Sequence, residues 1–112
     1  MQIINEKIKK EELEKIATIV FDENMIKAVV DIEKDIIAID SEMHVDLEQM
    51  LLEKGSKQEF LWGINLHPDE DEFVEFDSMI NIKPKQNKHL YVDDEDTRNR
   101  IVEVVNKWII QD

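Results

Sequence analysis

Apolar side chains at Leu13, Ile16, Ala17 and Val20 follow the i, i+3, i+4, i+7 spacing of one helix face, which predicts a helix over residues 8–20. Glu11, Glu12 and Glu14 crowd its first turns, where the helix dipole favours acids. Ile3 and Ile4 ahead of it suit a short edge strand. The pattern then changes period. Residues 27–32 and 35–39 are rich in β-branched side chains and too short for buried helices, so they read as a hairpin closed by Glu33-Lys34. Pairing Val30 with Ile37 and Val29 with Ala38 makes both faces apolar, the mark of strands covered on both sides near mid-sheet.

Helical spacing returns at Leu47, Met50 and Leu51. Asp46 and Gln49 fit a capping box at the start of this helix, and Gly55 fits the left-handed residue that ends it. Two alternating stretches, 58–67 and 73–83, follow around the loop His67-Pro-Asp-Glu-Asp-Glu72. A register that opposes Trp62 to Ser78 and Ile64 to Phe76 gathers bulky side chains on one face. It leaves Glu59, Asn65, Glu75, Asp77 and Asn81 on the reverse face, with Gly63 opening a space beside Asp77. Residues 83–92 are a polar connection with a basic cluster, Lys83, Lys85 and Lys88. A last helix opens at Asp93 or Asp94 and runs to about Ile110 with Ile101, Val104, Val105, Trp108 and Ile109 on its apolar face. The expectation is one α+β domain over residues 1–112, an antiparallel sheet of about four strands packed with helices in the order α-β-β-α-β-β-α.

Composition narrows the function. The 112 residues hold 42% apolar side chains, two Gly, two Pro and no Cys, enough for a core and incompatible with disulfides, thiol catalysis or Cys zinc sites. No apolar run approaches the roughly 20 residues that span a bilayer, and the first residues lack a secretion signal's order, which predicts a cytoplasmic protein. A net charge of −13 repels phosphates, so nucleic acid and anionic membrane are poor partners; divalent cations or a basic protein patch are better ones.

The stretch Gly55-Ser56-x-Gln58-x-x-x-Trp62-Gly63-x-Asn65, followed by Ser78-Met-Ile-Asn81-Ile-Lys-Pro84, resembles an uncharacterised family of short bacterial and archaeal proteins, a domain of unknown function. Ala28-Val-Val-Asp-Ile-Glu, Glu42-x-His44-x-Asp46 and Leu51-Leu-Glu are similar to it as well, so the resemblance spans roughly residues 26–110. Lys10 and Lys83 depart from it, standing where Ser and Arg are expected. The resemblance implies a fold unit and no activity.

Three groups of residues carry candidate chemistry. Asn65, Asp77 and Asn81, with Glu75 beside them and Ser56 and Gln58 from the preceding turn, read as a polar binding pocket of carboxylates and amides. Glu42, His44 and Asp46 alternate at spacing two, which in extended backbone puts them on one face as divalent-metal ligands. Asp69 and Asp71 are hard-oxygen ligands for a cation such as calcium, although the glycine of a calcium loop is missing. Trp62 and Trp108 read as core anchors. The leading expectation is a non-catalytic binding or regulatory protein, meeting a protein partner or a second copy through the reverse sheet face and acidic loops. The alternatives are a metal-assisted hydrolase or transferase using Glu42, His44 and Asp77, and a weak calcium-binding protein. Nothing like a nucleophile elbow surrounds Ser78.

Overall fold

Two apolar clusters lie on opposite faces of one sheet, and the β-branched centre of the chain is what separates them. The computed structural model describes residues 1–17, 19 and 24–111. Its elements are β1 (Gln2–Ile4), β2 (Ile8–Lys9), α1 (Lys10–Ile16), β3 (Ile26–Asp31), β4 (Ile36–Ile39), α2 (His44–Glu53), β5 (Leu61–Leu66), β6 (Val74–Glu75), α3 (Glu95–Trp108) and β7 (Ile109–Ile110). The main sheet has five antiparallel strands in the order β1-β4-β3-β5-β6. This is an α+β fold, with one strand more than expected in the main sheet because β1 joins its edge against β4.

β3 is the central strand, paired to β4 with Val30 opposite Ile37 and Val29 opposite Ala38 as their two-sided apolarity predicts. Ala28, Val30, Ile37, Ile39, Trp62, Ile64 and Leu66 face Leu13 of α1 and Ile101, Val104 and Val105 of α3. Val29, Ala38 and Leu61 face Leu47 and Leu51 of α2. Asp31 is buried and closes the β3–β4 turn: Oδ1 accepts from the Glu33 and Lys34 amides at 2.9 Å, and Oδ2 accepts from Ser56 Oγ at 2.6 Å. Asp35 takes a left-handed φ of 57° in this turn.

The helices differ from expectation at their ends. α1 is shorter than its apolar spacing suggests, and Val20 lies outside the described residues. α2 starts at His44, so Asp46 sits inside its first turn and does not cap it. Gly55, at φ 97°, follows the helix in the left-handed conformation as expected. Asp94 caps α3 by accepting from the Thr97 amide at 2.9 Å. The chain leaves α3 after Trp108, where Ile109 and Ile110 pair in parallel with Ile8 and Lys9. That two-stranded sheet joins the two ends of the domain. Trp62 is buried in the larger cluster, while Trp108 packs at its margin and donates to the Asp35 carbonyl at 2.6 Å.

Candidate functional site

α2 is only ten residues, about 15 Å of helix, and covers one end of the sheet face it packs on. At the other end the face is open. Met25, Lys27 of β3 and Asn65 of β5 lie there, with Lys27 directly opposite Asn65. Met43, His44 and Val45 at the start of α2 form one wall. Segment 75–80 forms the other, with Leu90 beside it. The resulting groove holds about 470 Å³ and is mainly apolar.

The far wall exists because the β5–β6 pairing stops early. Asn65 opposes Glu75 and Leu66 opposes Val74, in the register that the alternation predicts. The expected strand over 73–83 is nonetheless wrong: β6 is two residues long, Asp77 bridges to Tyr91, and 79–81 form a single 3₁₀ turn. Asn81 is the cause. It is fully buried, and its carboxamide takes the place of a strand against Gly63, accepting from the Gly63 amide at 2.7 Å and donating to the Gly63 carbonyl at 2.9 Å. The space expected at Gly63 is filled by Ser78, since a Cβ on Gly63 would stand 2.5 Å from Ser78 Cβ and Oγ. Ser78 is therefore turned away from its expected place in the aromatic core.

Of the six residues expected to bind, the fold brings three together. Asn65, Glu75 and Asp77 line the groove. Ser56 is committed to Asp31, Asn81 to Gly63, and Gln58 lies in a 3₁₀ turn whose carbonyl accepts from Lys83 Nζ at 2.9 Å. These three hold the frame and do not line the groove. Lys83 is likewise no part of an exposed basic cluster. It is buried with Nζ 4.9 Å from the Trp62 ring centre, and desolvation lowers its pKa while nearby Glu48 opposes the shift. Asn87, missed in the sequence, orders the same connection: Nδ2 donates to the carbonyls of Asn81, His89 and Tyr91 within 3.0 Å, and Oδ1 accepts from the Asp93 amide.

The supposed metal residues separate. Helical backbone from His44 onward turns His44 and Asp46 to different sides, because residues two apart on a helix do not share a face. His44 is buried and Asp46 and Glu42 are exposed. Asp69 and Asp71 are exposed on the 67–72 loop, where Asp69 Oδ2 accepts from Asn24 Nδ2 at 2.9 Å. Among the described residues no three His, Asp or Glu side chains gather as a metal site would require.

Apart from Lys27, the polar groups of the groove are mainly hydrogen-bond acceptors. His44 Nε2 lies 2.7 Å from the Ile64 carbonyl, which can only accept, so Nε2 carries the proton. Burial lowers the His44 pKa, with the Ile64 contact raising it and Lys27 lowering it further; the ring is neutral and Nδ1 is an acceptor. Asn65 is 93% buried, from a relative exposure of 7%. Its Nδ2 donates to Glu75 Oε1 at 2.7 Å and to the Asp77 carbonyl at 3.2 Å, while its buried Oδ1 has no partner among the described residues. A buried amide oxygen left unpaired costs about 1–3 kcal/mol, and this atom has almost no surface open to the groove.

The fold and groove define a small α+β protein with a mainly apolar groove beside α2. The chain belongs to the family described as Protein of unknown function (DUF5674), which it matches over residues 2–108. The match takes in the N-terminal elements as well as the central motifs. The comparisons with curated proteins and with solved structures return no match. Among the described residues no helix is long and apolar enough to cross a membrane.

Proposed function

We propose that this chain is a non-catalytic binding protein whose groove beside α2 receives a segment of a protein partner. The observation that carries the reading is the groove itself: about 470 Å³, mainly apolar, with margins that expose apolar side chains. Met79 is 74% exposed and Met43 54%, with Val45 and Leu90 also open to solvent. Methionine is unbranched and polarizable, so a methionine-lined surface adapts to the shape of a peptide side chain. The volume suits an anchor side chain and its flanking backbone, and the exposed margins extend the apolar surface beyond the groove. The metal-assisted hydrolase reading draws less support. His44 and Asp77 share the groove but Glu42 does not, and His44 Nε2 is engaged with backbone.

Display of random 12-residue peptides, with selection on the wild-type protein and counter-selection on Met79→Gln, tests this. The expected result is enrichment of peptides that bind wild type and lose at least about tenfold on the variant, the effect of placing an unpaired polar group in an apolar contact. Recovery of no such peptide overturns the reading.

A further inference from the structure

A second concavity adjoins the groove and shares Glu75 with it. Its walls are carboxylates, Glu70, Glu72 and Glu75, around His67, and its remaining sides include the Phe76 and Tyr91 rings. The rings meet edge to face with centroids 6.0 Å apart. His67 Nδ1 is 3.1 Å from Glu70 and Nε2 is 3.6 Å from Glu75, so the imidazole already spans two of the acids. Next door, His44 Nδ1 and the Glu75 and Asp77 carboxylates are acceptors, with Lys27 the cation of the lining.

We propose, resting on the binding reading above, that the partner segment is cationic and amphipathic: an apolar side chain enters the methionine groove and a neighbouring Lys or Arg enters the acidic concavity, with Glu75 between them. Two features argue for this occupant. The Glu70, Glu72 and Glu75 carboxylates suit an ammonium or guanidinium, and the Phe76 ring borders them, while Tyr91 already carries Arg98 at 5.2 Å from its ring centre. The chain's net charge of −13 draws a cationic segment in and opposes a second copy of itself.

The same peptide display carries the test, read now for charge. Among peptides that depend on Met79, Lys and Arg are expected to exceed their input frequency and Asp and Glu to fall below it, with one basic position at fixed spacing from the apolar anchor. Selection on the double variant Glu72→Gln, Glu75→Gln is expected to remove the basic excess and keep the apolar anchor; glutamine preserves an oxygen for Asn65. The cationic peptides are expected to weaken by about tenfold on the double variant, a typical effect of losing close interfacial charge pairs. Groove-dependent peptides with no charge bias overturn the cationic partner and leave the binding reading intact. Absence of groove-dependent peptides overturns both. Affinity for dodecyltrimethylammonium with no affinity for any peptide also overturns it, and names a small amphiphile as the occupant.

Discussion

Asn81 meets both backbone groups of Gly63, its Oδ1 accepting from the amide at 2.7 Å and its Nδ2 donating to the carbonyl at 2.9 Å. The same Nδ2 also lies within 3.2 Å of the Phe76 and Leu90 carbonyls. One side chain thus ends the β5–β6 ladder, satisfies β5 where its partner strand has left, and holds the far wall of the groove. Asn81→Ala should leave several buried backbone groups unpaired and cost about 3 kcal/mol, roughly a 12 °C fall in melting temperature for a domain of this size. A thermal melt within 2–3 °C of wild type, on the same scale, would contradict this role.

Gly63 should tolerate no side chain while Ser78 is present, because the added Cβ would overlap Ser78 Cβ and Oγ at 2.5 Å. Gly63→Ala is expected to destabilise by about 2–3 kcal/mol, and adding Ser78→Gly should restore part of that loss. Equal melting of the single and double variants would show that the strain lies elsewhere.

His44 supplies a pH dependence with a definite sign. Its folded pKa lies below the ordinary 6.5 because burial disfavours the imidazolium. The unfolded chain therefore binds the proton more readily, and the stability is fully present above 6.5 and lost as pH falls through the folded pKa. Imidazole carbon shifts followed by NMR should give a midpoint under 6.5, with His44→Gln flattening the change in stability between neutral pH and about pH 5. A midpoint at or above 6.5 would contradict the buried neutral ring.

Asp35 ties the β3–β4 turn to α3 through Arg100 Nη2, with Lys107 Nζ at 3.3 Å. The Arg100 contact holds its pKa below the ordinary 3.8, partly opposed by desolvation and helped by Lys107. Its contribution is present above 3.8 and lost as pH falls below that toward the folded value. The carboxylate is about a third exposed, so Asp35→Asn should cost only about 1 kcal/mol at neutral pH, a difference that closes in acid. Urea midpoints at pH 7 and in acid, compared between the two proteins, check this; an equal gap at both pH values would refute it.

Much of the frame was legible in the sequence because it rests on local periodicity. β-branched runs with two apolar faces place β3 and β4 at mid-sheet, Asp94 marks the start of α3, and the alternation around Trp62 sets the Asn65–Glu75 register. The misses are non-local. Nothing in the spacing of Asn81 says that its carboxamide replaces a strand eighteen residues away, and that one contact shortens β6 and buries Ser78 against Gly63. β2 and β7 are two residues each, too short for any period to register. Glu42, His44 and Asp46 shared a face only while extended; one helical turn scattered them. Half of the expected binding residues proved to be framework, because a buried Ser or Asn on a turn serves backbone groups as readily as a ligand.

The most direct measurement follows methionine methyl resonances of the full chain by ¹³C NMR while groove-selected peptides are added. Met25, Met43 and Met79 belong to the groove, whereas Met1 and Met50 lie outside its lining. The account predicts saturable shifts at the first three and none at the other two. Shifts confined to Met1 or Met50, or saturation of binding with all five methyl groups unmoved, would contradict it.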